Sequence, residues 1–379
     1  MNLKRLTAPL IGILLYGCLD PYAPPQVSGS SNYLVVSGFL NAGDNSCTIT
    51  LTRSLSLAST TTPPTVSDAK VTIEDAAGNS LTLVPQGNGV YSNLNLSLNL
   101  QKTYRLHVKV TSEDYLSDYV PINPSPSIDS VGWMLNQQES TVPNVTLYVN
   151  SHGTTGQMPY YLWDYEETWS YTAAYASNLK FENGNVVSVT DTTFYCWKTL
   201  PSTSILIGST IQLSQNAVHQ FTLASIPINS VKFFRGYSIL VKQLALTKDA
   251  FEYWQQLKST TENLGTIFGP QPTRVTGNIH SSGNPTEPVF GYFSAAVASE
   301  KRIFIRPSQL PPPPAKVITG YENCQLDTLT VSQLAYYAGG KAFVSSYGVG
   351  PVGYTTTSID CVDCRFKGGT NVKPIFWYE

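Results

Sequence analysis

Six cysteines stand in this 379-residue sequence, at positions 18, 47, 196, 324, 361 and 364. Thiols offer the widest choice of chemistry here, and two of them are close neighbours. Cys361 and Cys364 form a C-x-x-C pair in CVDCRFKGGTNVKPIFW. Such a pair can be half of a metal knuckle, a redox couple, or two structural staples. A structural zinc site wants four ligands, usually as two close pairs, and here there is one close pair. A redox C-x-x-C normally opens a helix in a thioredoxin-like βαβ pattern. This one lies in a glycine-bearing stretch of a β-type sequence. Staples remain, and they require an oxidising compartment.

The acids come second. Asp164, Glu166 and Glu167 stand in YLWDYEETWSY. On a strand, Asp164 and Glu166 share one face about 7 Å apart, a separation found in inverting glycosidases. Exposed acid pairs on strands are common, however, and catalysis also needs a pocket. Glu167 points the other way, among Trp163, Tyr165, Trp169 and Tyr171. A carboxylate among rings must be paired and hydrogen-bonded. One reading is a structural ion pair with an arginine such as Arg274, Arg306 or Arg365. The other is an aromatic-walled recognition face carrying Trp163, Glu167 and Trp169. The four histidines (107, 152, 219 and 280) are scattered, without metal-binding spacing. No nucleophile elbow or phosphate loop is present. We expect no catalytic residue, no metal and no cofactor.

The N-terminus decides the compartment. MNLKRLTAPLIGILLYGCLDPYAPP has a basic start, a short apolar core and a small residue before a break, the plan of a secretory signal. The apolar run is too short to cross a bilayer as a helix. Leu15-Tyr16-Gly17-Cys18 resembles the lipobox of bacterial lipoproteins, with Tyr16 in place of the usual small residue. Residues 1–17 are therefore expected to be cleaved, Cys18 to carry acyl chains, and 18–31 to be a lipidated tether. More than one acyl chain makes a stable anchor. The expected location is the outer membrane, with the periplasmic or outer face left open. Removing Lys4 and Arg5 takes the net charge from −2 to −4. Neither value, nor any basic run, suggests a nucleic-acid partner.

With Cys18 acylated, five cysteines remain: two disulfides and one free thiol. Cys47 lies in a strand-like run and is expected to be free. Cys196 and Cys324 are the expected partners of Cys361 and Cys364, and which joins which cannot be read from sequence.

The elements that must position these groups are mostly strands. Charged residues make up 13% of the chain and tyrosines number 23, a low-charge, β-favouring composition. Short β-type runs from Tyr33 to Val120, broken at DAAGNS and QGNG, predict an immunoglobulin- or transthyretin-like β-sandwich over 32–122. A second β-rich sandwich is expected over 128–307. It holds the period-2 row from Tyr160 to Tyr175 and one amphipathic helix near 248–262, with Thr247 as N-cap. Residues 308–379 read as a polyproline linker and an irregular, disulfide-stapled tail packed on the second domain.

YLVVSGFL, SIDSVGW, YLWDYEETWSY, FEYWQQL, VTGNIHSSGNPTEPVFGYFSAA and the closing CVDCRFKGGTNVKPIFW occur in order along the chain. Together with the lipobox they resemble the domain-of-unknown-function 4249 family, lipoproteins of Bacteroidetes-type bacteria. The resemblance transfers no catalytic residue. It implies a gene neighbour encoding a TonB-dependent outer-membrane receptor. By analogy with lipoproteins that cap such transporters, it implies a non-enzymatic accessory or ligand-capturing role. The alternative expectation is a surface adhesin or glycan/peptide-binding module, and after it a glycan hydrolase.

Overall fold

Leu34, Val36 and Leu40 of one strand, and Tyr104, Leu106, Val108 and Val110 of another, all turn inward, while most residues between them face outward. That period-2 burial is what a pleated strand with one wet face requires. A computed structural model describes residues 32–55, 59–136, 141–154, 156–262, 275–337, 339–349 and 353–377. The expected signal segment, the tether and Cys18 lie outside the described residues. So does Arg274.

The chain is mainly β. Its first eight strands are β1 (Leu34–Asn41), β2 (Ser46–Arg53), β3 (Ala69–Asp75), β4 (Ser80–Gly87), β5 (Val90–Asn93), β6 (Thr103–Val110), β7 (Glu113–Ser117) and β8 (Val120–Pro124). They do not make the expected sandwich. Hydrogen bonding runs β6-β3-β4-β5-β2-β1, on through Ala295–Val297 to β8, and back to β6 by the pairs Thr103–Pro121 and Tyr104–Val120. The result is a closed, barrel-like ring around one apolar core. Closure removes the exposed edges that a short open sheet would leave. β7 branches from β6 and carries Ile279–Ser281 on its outer edge.

The closing strand comes from far along the chain. Ala295–Val297 runs parallel to both β1 and β8. Val36 N donates to Phe290 O (2.7 Å) and Leu40 N to Ser294 O (2.9 Å). Gly291 has φ +130°, and a Cβ there would stand 2.2 Å from Val36 O, so the approach requires glycine. The expected boundary at 122 therefore does not enclose the first unit. PVFGYFSAA completes it from within the stretch assigned to the second.

In the second unit, β9 (Ile128–Asn136) and β10 (Asn144–His152) form a three-stranded sheet with Ala217–Pro227. β11 (Tyr160–Thr172) is central to the other sheet, between Tyr195–Pro201 and Tyr237–Ala245, with Ser299–Ile305 beyond. Both sheets contribute to one core, which joins Val145, Leu147 and Val149 to Tyr161, Trp163, Trp169, Ile239 and Val241. The helix α1 (Lys248–Thr261) starts where expected, with Thr247 Oγ1 accepting from Ala250 N at 3.2 Å. Its Ala250 packs with Leu244, Leu246 and Ala296, between the barrel and the facing sheets. No helix among the described residues is long and apolar enough to cross a membrane.

The tail is more regular than expected. Asp327–Thr330, Lys341–Tyr347 and Gly353–Ser358 join Leu179–Glu182 and Asn185–Ser188 in a five-stranded sheet. These strands are rich in Thr, Ser and Tyr and bury little, so the apolar alternation that marks a strand is faint. A 3-10 helix spans Val331–Tyr336. The polyproline stretch lies along the second unit, where Leu310 packs on its core and Ile318 N donates to Asn229 O (2.9 Å).

Candidate ligand cleft

The aromatic row on β11 is core rather than ligand face. Trp163, Glu167 and Trp169 are 1%, 6% and 6% exposed. Trp163 stacks on Phe221 at 4.0 Å and donates from Nε1 to Gln243 Oε1 at 2.8 Å. The opposing sheet packs on this side of β11 and shares its core. Glu167 is paired, but with neither Arg306 nor Arg365, the two expected arginines among the described residues. Lys232 Nζ lies 2.5 Å from Oε2, and Tyr237 donates to Oε1 at 2.6 Å. Lys232 also stands 5.1 Å above the Trp169 ring. Burial, with the Glu167 charge beside it, pushes the Tyr237 phenol far above its ordinary value. Of the arginines, Arg365 binds Asp363 (2.7 Å) and Arg306 stands at a cleft described below.

Asp164 and Glu166 do not share a pocket. Asp164 lines a cleft of about 370 Å³ with Lys242, Trp254 and Tyr292. Enclosure by that wall raises its carboxyl above the ordinary value. Glu166 is drawn to Arg302 (3.5 Å) instead. His107 sits between Glu74 and Asp114, 2.7 Å from each. Among the described residues no group of three or more His, Cys, Asp or Glu could hold a metal ion.

The disulfides join Cys196 to Cys364 and Cys324 to Cys361, each with Cα atoms 5.8 Å apart. Cys47 is a free, buried thiol, and burial pushes its pKa well up. Around the first disulfide the tail is laced to Tyr195–Pro201. Trp197 and Thr370 exchange two backbone hydrogen bonds of 2.8 Å. Tyr171 donates to Cys364 O at 2.9 Å. A Cβ on Gly369 would stand 2.3 Å from the Tyr171 hydroxyl, so this seam closes only with glycine there.

That seam builds one wall of a cleft of about 800 Å³. Tyr195 and Trp197 flank the disulfide-bonded Cys196 and both line it. The other walls hold Arg235, Arg306, Phe304 and Trp377, with Tyr237 at the base. Trp377 meets Phe304 edge to face at 5.7 Å. The Arg235 guanidinium lies 4.8 Å over the Tyr195 ring. Trp197 Nε1 is buried and has no hydrogen-bond partner among the described residues. The cleft thus combines two cations and aromatic walls. Its volume falls in the range of small-molecule sites, roughly 300–1,000 Å³.

None of these residues except Arg306 was a sequence candidate. They come from four separate stretches, and no local spacing marks them. The one visible signal was the aromatic end of the C-x-x-C segment, which delivers Trp377.

Barrel, facing sheets, paired cysteines and cleft define a mainly β, disulfide-fastened protein with an aromatic-walled, arginine-bearing cleft at the tail seam. The chain belongs to the family described as Domain of unknown function (DUF4249), whose profile matches residues 20–302. No curated protein matches it. The matched stretch contains Tyr195, Trp197 and Arg235 but ends before Arg306, the C-x-x-C pair and Trp377.

Proposed function

We propose that this chain is an exported, non-enzymatic binding protein, anchored in the outer membrane through acylated Cys18. It serves as an accessory, ligand-capturing partner of a TonB-dependent transporter. The observation that carries the reading is the cleft at Arg235, Arg306, Trp197 and Trp377. Its lining supplies hydrogen-bond donors and rings, the groups that hold a ligand. The disulfides suit an oxidising compartment, as the lipobox-like LYGC requires. The two facing sheets around Trp163 we take as the second sandwich of the fold.

The test is recovery of the tagged full-length chain from outer membranes in mild detergent. A large β-barrel receptor should co-purify, and labelled palmitate should enter the wild type but not Cys18→Ser. Recovery of the lipidated monomer alone counts against the transporter role. The same cleft favours, as a second reading, a glycan-binding surface module acting without a receptor.

A further inference from the structure

We propose that the cleft takes an acidic sugar, a uronate- or sulfate-bearing residue of a polysaccharide, which deepens and rests on the capture reading above. The first argument is charge. The protein carries 25 acidic and 23 basic side chains, and three other arginines meet acids, Arg105 with Glu74, Arg302 with Glu166 and Arg365 with Asp363, while Arg53 donates to Asn32 O at 3.2 Å. Arg235 and Arg306 meet no carboxylate among the described residues, and the cleft lining contains no Asp or Glu. Guanidinium groups bind carboxylate or sulfate in a planar two-point fork. A cleft holding two of them, with no acid among the described residues of its lining, selects an anion.

The second argument concerns the rest of the ligand. Tyr195, Trp197 and Trp377 present rings that suit the apolar C–H face of a pyranose. Ser308 adds a hydroxyl to the lining, a partner for a sugar hydroxyl. An acidic peptide shares the charge but not the fit. Extended peptides bind by adding main-chain hydrogen bonds to a sheet edge. The edge at Trp197 is already closed by Thr370, with both hydrogen bonds made.

The experiment is calorimetric titration of the full-length chain in mild detergent. The probes are oligogalacturonate, a chondroitin sulfate oligosaccharide, a neutral β-glucan oligosaccharide and a poly-glutamate peptide. We expect saturable binding of one of the two acidic sugars; which one binds tells carboxylate from sulfate as the anchoring group. That binding should weaken at least tenfold in Arg235→Gln and in Arg306→Gln and fall steeply with added salt. Trp377→Ala should weaken it as well. Unchanged thermal unfolding of the three variants shows that the fold is intact. Equal binding of the neutral oligosaccharide, or stronger binding of poly-glutamate, overturns the acidic-sugar assignment and leaves the capture role standing. Silence of all four probes from a preparation that still co-purifies a receptor also overturns the assignment. Absence of the receptor strikes instead at the transporter role.

Discussion

Cys196 and Cys364 lie 168 positions apart in the sequence and 5.8 Å apart at their Cα atoms. Their bond holds the end of the chain against the strand that carries Tyr195 and Trp197. The cross-link therefore fastens the tail to a strand whose side chains on either side of Cys196 line the cleft.

Disulfide mapping and stability should reflect this arrangement. Mass spectrometry of the unreduced digest should show Cys196–Cys364 and Cys324–Cys361, with no Cys361–Cys364 bond. Cross-links stabilise more when they close longer loops. Cys364→Ser should therefore cost about 3–5 kcal/mol and lower the unfolding temperature more than Cys324→Ser, whose bond spans 37 positions. Equal or reversed effects would mean that the longer bond is not the main tie.

Lys232 should be indispensable to the second core for as long as Glu167 is present. Lys232→Met leaves a buried carboxylate without its cation, at a cost of about 3–5 kcal/mol. Combining it with Glu167→Leu should return most of that loss, because no uncompensated charge remains. Tyr237→Phe removes one donor and should cost about 1–3 kcal/mol. Urea unfolding measures all three. A Lys232→Met loss below about 1 kcal/mol would show that Glu167 finds other company.

Two tryptophans should behave oppositely. Trp163→Ala empties the site of a fully buried indole and leaves Gln243 Oε1 without its donor, so a loss of about 3–5 kcal/mol is expected. Trp377→Ala removes a ring from the cleft wall and should leave the unfolding temperature nearly unchanged. Far-UV and near-UV dichroism melts compare them directly. Similar losses in both would place Trp377 in the core instead.

Acid should loosen the barrel through a definable group. The Lys102 ammonium and the Asn79 amide, with backbone donors at Ala77 and Asn79, hold the Asp75 carboxyl well below its usual range. A carboxyl lowered in the folded state contributes fully above its unfolded value, near 4, and loses its contribution as pH falls below that. The stability curve should therefore drop from about pH 4 downward. Asp75→Asn should flatten that limb while lowering stability at neutral pH. An unchanged acid limb in Asp75→Asn would assign it to other carboxylates, such as Asp114 and Asp363.

Gly291 should accept no side chain. Gly291→Ala drives a Cβ against Val36 O within the seam that closes the ring. Loss of cooperative unfolding, or of soluble protein, is expected. A variant as stable as wild type would show that the seam can part without harm.

Sequence alone determined what local chemistry can encode. Period-2 alternation marked the strands around Val36, Leu106 and Trp163. Thr247 and the amphipathic pattern after it marked helix α1, and the order of motifs marked the family. The cysteine count and the lipobox-like N-terminus pointed to staples. Tertiary structure decided everything that depends on distant segments meeting. Ala295–Val297 turns an expected sandwich into a ring, because parallel pairing across some 250 residues leaves no local trace. The opposite sheet settles that Trp163 and Trp169 are core. A ring-lined strand reads the same whether a ligand or another sheet lies over it. Glu167 needed a partner on either account, but only the fold could choose Lys232 over an arginine. The cleft is the clearest case. Tyr195, Trp197, Arg235, Arg306 and Trp377 have no common spacing, and they meet because strand pairing sets the strands of their sheet side by side while a disulfide and the Gly369 seam bring the tail to it.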